Sequence, residues 1–331
     1  MKFMFQHQPL YREVLRLAWR LTWHQPLLWV LGLFSAVLVS GGAFDVLARH
    51  ISWSLHPDFG FMSASWWRWG NWELGLTASL WLVALVLLLA GLAVYVVFVM
   101  IRSFISLILG AGEYKAGEKL DLEKLWHAGR RHFWPVLGTI VLAKILIMIL
   151  GALTLLPLFL LVLGKWNLFS SIIYPPIFLI GVVAGVVVSF LMIFVSAFLV
   201  LEKYDWQKAV AAAWRLFLRN WLVSLEMALV IFAIYLLVGL ILAIGALIII
   251  IPVVAVVIFA RFIMLPGLGS VAVFVGSLLA VCLVLLAAGF LSAFHVGSWV
   301  LLVERMKKET AVSKLVRLVE HVKLKIKFKT K

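Results

Sequence analysis

Charged residues and cysteine are scarce in this chain, and familiar catalytic motifs are missing from it. Asp, Glu, Lys and Arg make up 13% of the residues, about half the usual share in a soluble domain. The single cysteine, Cys282, cannot form an intrachain disulfide and says nothing about the redox compartment. The sequence has no P-loop, dinucleotide fingerprint, G-x-S-x-G elbow, C-x-x-C pair or H-E-x-x-H motif. We therefore expect no catalytic residue, no cofactor and no enzyme activity.

Hydrophobic residues make up 65% of the chain and form runs long enough to cross a membrane. A helix needs roughly 20 apolar residues to span the hydrocarbon. These runs lack the two-residue alternation of a β-barrel, so helices are expected. We predict an all-α integral membrane protein with six transmembrane helices. The predicted spans are about 26–44, 75–101, 135–156, 175–201, 221–244 and 271–303.

Positive charge lies almost entirely on one side of these predicted spans. Of the 29 Lys and Arg residues, 24 fall in the segments 2–20, 102–131, 203–219 and 305–331. Cytoplasmic loops are enriched in Lys and Arg, so this asymmetry predicts that both termini are cytoplasmic, as an even number of spans requires. It also accounts for the net charge of +15 without a nucleic-acid partner, which we do not expect.

Three amphipathic stretches precede the odd-numbered spans. A helix with one apolar and one basic face lies in the membrane interface, with its cations toward anionic phospholipid headgroups. We predict such contacts for Arg12, Arg16, Arg20, Arg130, Arg131, Arg215 and Arg219. Asp121 and Asp205 stand where N-caps of the second and third amphipathic helices are expected.

A short phrase, E-K-x-D-x-x-K, occurs at 118–124 and again at 202–208. Each copy closes an apolar run and opens an amphipathic stretch. We therefore predict three tandem hairpins, each preceded by an interfacial amphipathic helix, within one membrane domain covering 1–331. The predicted repeat units are about 8–110, 118–201 and 202–305, and a basic cytoplasmic tail follows at 306–331.

The tail alternates lysine with apolar residues from Val322 onward. We predict that its lysines contact anionic lipid, each contributing about 1 kcal/mol near the surface. They are Lys323, Lys325, Lys327 and Lys329. Binding of a polyanion such as ribosomal RNA is the alternative left open.

Prolines mark the opposite side of the predicted hairpins. Pro157 and Pro252 are expected to end or kink their helices, each followed by a short apolar segment along the outer interface. Two spans within 221–265 are the alternative, which we disfavour because they would expose the basic tail outside. Pro175 and Pro266 are expected to lie where the chain reverses. A tryptophan-rich loop at about 45–74 is predicted to anchor at headgroup depth.

Two ionisable residues fall inside predicted spans, where charge is costly. Lys144 in the third span leans toward the same side as Glu226 in the fifth, and we predict an ion pair between them. That each reaches water or headgroups separately, or that both serve an ion relay, stays open. His295 is predicted to be a hydrogen-bonded packing residue.

Small residues are candidates for helix contacts, and paired histidines are candidates for metal ligands. Gly32 with Ser35, and Gly181 with Gly185, predict close helix contacts. The histidine pairs lack a neighbouring acidic cluster, so we predict no metal site. They are His127 with His132 and His50 with His56.

The segment from Glu202 to Trp221, and more faintly Glu118 to Trp134, carries a resemblance to a known group. A glutamate ends a span, an amphipathic helix of the type Ala213–Leu216 follows, and an aromatic residue opens the next span. This unit is similar to the six-span membrane domain associated with glycerophosphodiester phosphodiesterases and to its uncharacterised bacterial inner-membrane relatives. The resemblance implies a multi-pass protein of the bacterial inner membrane. Since no soluble hydrolase domain follows the spans, no phosphodiesterase activity or catalytic residue is carried over.

Two function classes follow from these features. The first is a non-enzymatic module that organises lipid or binds a partner protein, and it predicts a tightly packed interior. The second is a small transporter or exporter component, and it predicts a water-accessible cleft lined by Lys144, Glu226 or His295.

Overall fold

The structure, a computed structural model, describes residues 10–39, 76–114, 121–162 and 168–308. These ranges are helical, with no residue in a strand, which confirms the all-α prediction for them. The helices are α1 (Leu10–His24), α2 (Leu27–Val39), α3 (Leu76–Glu113), α4 (Leu122–Ala128), α5 (Phe133–Val162), α6 (Leu168–Leu201), α7 (Trp206–Arg219), α8 (Trp221–Phe262) and α9 (Pro266–Lys308).

Five of these helices, α3, α5, α6, α8 and α9, are long and apolar enough to cross a membrane. The pair α1–α2 passes the same test only when taken together, and it is bent by 110°. The multi-pass helical prediction is therefore confirmed, while six spans in tandem hairpins remain a prediction. By itself α2 has 13 residues, fewer than the roughly 20 that a crossing requires.

The helices do not end at the two prolines, so the predicted end is wrong, while a kink there stays a prediction. α5 continues through Pro157, and α8 continues through Pro252 for 42 residues in all, about 63 Å at 1.5 Å per residue. The two-span alternative for 221–265 does not fit this single helix. A proline removes one hydrogen bond, whereas ending a helix in an apolar stretch leaves four carbonyls unpaired.

Of the two predicted chain reversals at proline, the one at Pro266 is confirmed and the one at Pro175 is wrong. Pro266 is the first residue of α9, a position where its missing N–H costs nothing. Pro175 and Pro176 lie inside α6, which begins at Leu168, and so the chain does not reverse at them.

Most buried apolar residues form one cluster, at what we call the basic end of the bundle. The C-terminal parts of α3, α6 and α9 make its centre, and α1, α4, α7 and the first turns of α2, α5 and α8 surround them. Trp299 of α9 is 2% exposed. Its ring centroid lies 5.0 Å from that of Phe190 and 6.0 Å from that of Phe194, both on α6. Aromatic packing thus joins α9 to α6 at this end.

The opposite ends of the long helices, which we call the far end, are largely exposed. Trp81 of α3, Ile251 of α8 and Phe274 of α9 are 78%, 64% and 69% exposed. Exposed apolar surface on this scale is not expected of a soluble monomer and suits contact with lipid.

Close helix contacts occur where small residues predicted them. A Cβ built on Gly32 of α2 would lie 2.1 Å from the carbonyl oxygen of Gly289 in α9. One helical turn away, the hydroxyls of Ser35 and Ser292 are hydrogen-bonded at 2.9 Å. A Cβ on Gly181 of α6 would lie 2.1 Å from the Thr154 methyl of α5. Backbones can approach this closely only without a side chain between them.

Two helix ends carry a non-glycine residue in the left-handed region. Met264 has φ 53° after α8, and Leu265 N–H donates to the Ala260 carbonyl at 3.0 Å, which closes a Schellman turn. Lys203 has φ 54° after α6. A side chain in this conformation costs roughly 1–2 kcal/mol relative to glycine.

Candidate functional site

At the basic end, α1 and α7 bury one face and expose their arginines. The buried residues are Val14, Ala18 and Leu21 of α1 and Ala209, Ala213 and Phe217 of α7. The exposed cations are Arg12, Arg16, Arg20, Arg215 and Arg219. Their exposure leaves these guanidinium groups available to a charged surface, as the interfacial prediction requires.

The short helix α4 is held against α3 by polar contacts to its carbonyls. Arg102 of α3 donates through a terminal nitrogen to the Trp126 carbonyl at 2.5 Å, and its guanidinium lies 4.2 Å from the Trp126 ring centroid. The Ser106 hydroxyl donates to the Leu125 carbonyl at 3.3 Å. The Leu125 carbonyl also accepts from the Gly129 N–H at 3.0 Å. Because carbonyls in the last turn of a helix can lack a backbone partner, Arg102 supplies the donor for Trp126.

The two predicted N-caps behave differently. Asp121 accepts hydrogen bonds from the N–H groups of Glu123 and Lys124, which confirms the prediction. Hydrogen bonds from Lys124 lower the pKa of the Asp121 carboxyl. Asp205 occupies the cap position of α7 but makes no capping hydrogen bond. Its carboxylate instead lies 3.8 Å from the Lys208 amine.

The C-terminal turns of α9 are tied to two other parts of the chain. Arg305 pairs with Glu13 of α1 at 2.5 Å. Lys307 pairs with Glu202, the first residue after α6, and with Glu304 of its own helix. The sequence analysis predicted neither of these ion pairs. The repeated phrase, which contains Glu202, was the feature that could have indicated one of them.

Lys144 and Glu226 both lie near the buried cluster. Lys144 follows the buried Ala143 of α5, and Glu226 precedes the buried Met227 of α8. Both side chains are partly buried, and each takes part in a polar or charge interaction. An ion pair between the two stays a prediction.

His295 packs among aromatic rings, as expected, but without the expected hydrogen bond. Its ring centroid lies 5.8 Å from that of Tyr235 on α8 and 6.3 Å from that of Trp299. Its Nδ1 atom is buried and has no hydrogen-bond partner in the described part of the chain. Ring packing therefore holds this side chain in place.

Two pockets bear on the transporter alternative. One, of about 10 Å³, lies between α5 and α6 beside Thr154, Gly181 and Gly185. The other, of about 310 Å³, lies at the far end of α8 beside Arg261 and Phe262. Lys144, Glu226 and His295 line neither pocket, so neither is the cleft that a transporter would require.

Several sequence predictions fall outside the described residues. They concern the loop at 45–74 with His50 and His56, the start of the repeated phrase at Glu118, and the tail lysines Lys323, Lys325, Lys327 and Lys329. Within the described ranges, no three His, Cys, Asp or Glu side chains are grouped to hold a metal ion. The ring of His127 instead lies 2.8 Å from the Glu123 carbonyl oxygen.

Cations from three elements meet at the turn between α4 and α5. Arg130, Arg131 and His132 belong to the turn. Arg102 of α3 binds the Trp126 carbonyl four residues before Arg130, and Lys203, after α6, is close enough for its charge to act on His132. The charges of Arg130 and Arg102 repel each other. Burial lowers the pKa of His132, and the charges of Arg131 and Lys203 lower it further, although the nearby Ala128 carbonyl partly opposes this.

Comparisons with protein-family models, with curated proteins and with solved structures give no match to this chain. The resemblance to the phosphodiesterase-associated membrane domain therefore remains a prediction.

Proposed function

We propose that this protein is a non-enzymatic, multi-pass membrane module that holds its basic end against one anionic leaflet and organises lipid or a partner protein there. In this proposal six spans form three tandem hairpins, each preceded by an interfacial helix. The membrane is the bacterial inner membrane, and both termini are cytoplasmic.

One observation carries the proposal: packing and exposed positive charge occur at the same end of the helices. The buried cluster and the exposed arginines of α1 and α7 lie there, while the far end exposes apolar side chains. Each cation near an anionic surface contributes about 1 kcal/mol. The five exposed arginines on α1 and α7 would together strongly favour an anionic leaflet.

The tightly packed basic end also favours this function over a transporter. Ser103, Phe104 and Ile105 of α3 are each fully buried. The packed centre of the basic end therefore consists of side chains in contact, which is what an organising module requires. The resemblance to bacterial inner-membrane domains supports the assignment of the membrane.

Lipid composition around the extracted protein tests the function. The protein would be extracted into polymer nanodiscs from a membrane of known anionic-lipid content. We expect enrichment of anionic lipid over the bulk membrane. A variant with Arg12, Arg16, Arg215 and Arg219 changed to Gln should show clearly less enrichment than the unchanged protein. Discs of the unchanged protein with bulk composition would contradict the proposal.

Thiol labelling tests the orientation separately. On a Cys282→Ser background, single cysteines would replace Arg219 at the basic end and Met264 at the far end. In intact cells, we expect an impermeant maleimide to label position 264 at once and position 219 only after permeabilisation. Equal labelling of both positions in intact cells would overturn the arrangement.

A further inference from the structure

We propose that the turn between α4 and α5 is a binding site for a phosphate group, carried by an anionic phospholipid of the leaflet that faces the basic end. The site consists of Arg102, Arg130, Arg131 and Lys203, with His132 at its edge. It rests on the proposed function for the leaflet, and it adds a specific headgroup site to a general electrostatic attraction.

The first argument is that the fold holds these cations together against their mutual repulsion. Arg102 is fixed by its hydrogen bond to the Trp126 carbonyl and its contact with the Trp126 ring. Because α4 ends at Ala128, this contact places Arg130 close enough for its charge to act on Arg102. Lys203 is close enough to act on His132 from α6. Like charges brought together by separate elements indicate a site for an anion.

The second argument is that three carboxylates of the basic end are engaged elsewhere. Asp121 pairs with Lys124, Glu202 with Lys307, and Asp205 with Lys208. Throughout the described ranges, Arg130, Arg131 and Lys203 form no ion pair. Their positive charge is therefore available to an anionic ligand.

The third argument is the backbone of Lys203. This residue has φ 54°, where glycine would relieve roughly 1–2 kcal/mol of strain. Such conformations are enriched at functional sites, although they also end helices, as at Met264. At position 203 the side chain brings a cation to the turn, which glycine could not.

The fourth argument identifies the carrier of the phosphate as a lipid. α5 starts immediately after the turn, at Phe133, so the N–H groups of its first turn add partial positive charge. The ring centroid of Phe133 lies 5.1 Å from that of Phe98 and 5.4 Å from that of Trp134. Trp134 is 76% exposed. Cations beside an exposed aromatic patch suit a phosphate at headgroup depth with acyl chains alongside.

Thermal unfolding of the purified full chain in neutral detergent tests the site. The probes are dihexanoyl phosphatidic acid, dihexanoyl phosphatidylcholine and inorganic phosphate. A ligand that binds the folded state raises the unfolding temperature with its concentration. We expect phosphatidic acid to do so, and phosphatidylcholine to have little effect. If inorganic phosphate raises the unfolding temperature as much as phosphatidic acid does, the site binds free phosphate and the lipid assignment is wrong.

Matched variants localise the effect. Arg130→Gln with Arg131→Gln should weaken phosphatidic acid binding by about thirtyfold, from two cations at about 1 kcal/mol each. Arg215→Gln with Arg219→Gln removes the same charge from α7, which attracts anionic lipid only through its general field, and should weaken the affinity by less than about fivefold. Equal weakening by both pairs would overturn the site while leaving the general electrostatic function intact. No shift with any probe in the unchanged protein would also overturn it, and the nanodisc composition would then decide the proposed function alone.

Lys203→Gly separates binding from folding. Without ligand we expect an unfolding temperature at or above that of the unchanged protein, because glycine relieves the backbone strain. Binding of phosphatidic acid should weaken by about fivefold, from the loss of one cation. Unchanged affinity would remove Lys203 from the site and leave its backbone conformation without this explanation.

Discussion

Changing Gly32 to alanine should force α2 and α9 apart at the point where their backbones touch. The added Cβ would lie 2.1 Å from the Gly289 carbonyl oxygen, 3.0 Å from its carbon and 3.1 Å from the Ala293 nitrogen. Ordinary contact begins at 3.4 Å, so the helices must separate by about 1 Å in a closely packed interior. The obstructing atoms belong to backbone and cannot rotate away.

The expected magnitude combines three contributions. Overpacking of this kind costs about 1–3 kcal/mol. Separation also breaks the Ser35–Ser292 hydrogen bond, measured at 2.9 Å, for about 1 kcal/mol. The higher helix propensity of alanine offsets about 1 kcal/mol of this loss of stability. The free energy of unfolding should therefore fall by about 1–3 kcal/mol.

Gly239→Ala in α8 is the matched control, because a Cβ there would meet nothing within 4 Å. It should gain up to about 1 kcal/mol from helix propensity alone. The assay is reversible unfolding in mixed micelles of mild detergent and SDS, followed by circular dichroism. Ser292→Ala should then cost little in the Gly32→Ala background, since its bond is already broken. If the two glycine variants differ by less than about 0.5 kcal/mol, the ordinary scatter of surface substitutions, the close crossing is wrong.

Three further predictions use the same unfolding assay. Met264→Gly should raise the free energy of unfolding by about 1 kcal/mol because glycine adopts the left-handed Schellman position freely, while Met264→Ala should not; equal effects would contradict the turn. A double-mutant cycle on Glu13→Gln and Arg305→Met should give a coupling below about 1 kcal/mol because both side chains are partly exposed, and a zero coupling would mean that the pair does not tie α1 to α9. Because the pKa of His132 is lowered from its ordinary value of 6.5, the neutral ring's contribution to stability is complete above that pH and is lost as pH falls through the folded-state pKa. His132→Gln should flatten this dependence, whereas an unchanged pH profile would show that another group titrates.

Much of the architecture could be predicted because it depends on properties local in sequence. Apolar runs located α3, α5, α6, α8 and α9, because any helix in lipid needs a length set by the bilayer. The Asp121 cap and the Gly32 contact were also predictable. A cap needs only its own turn, and a small residue in an apolar helix has few other uses.

The ends of the helices were less predictable. Pro252 reads as a stop signal, yet α8 continues past it because the surrounding apolar environment makes an open helix end more costly than one lost hydrogen bond. The positions of Pro175 and Pro176 inside α6 show the same effect. In water, where the carbonyls at a helix end are solvated, the same prolines would be better predictors of where a helix ends.

The sequence by itself determined that this chain is helical, apolar along its long segments and basic in its connecting ones, because those properties follow from composition and local spacing. Only the tertiary structure decided which charges meet. Arg102 with Arg130, Glu13 with Arg305, and Lys203 with His132 are brought together by the packing of separate helices. Electrostatic interaction depends on distance in space, and distance along the chain does not report it.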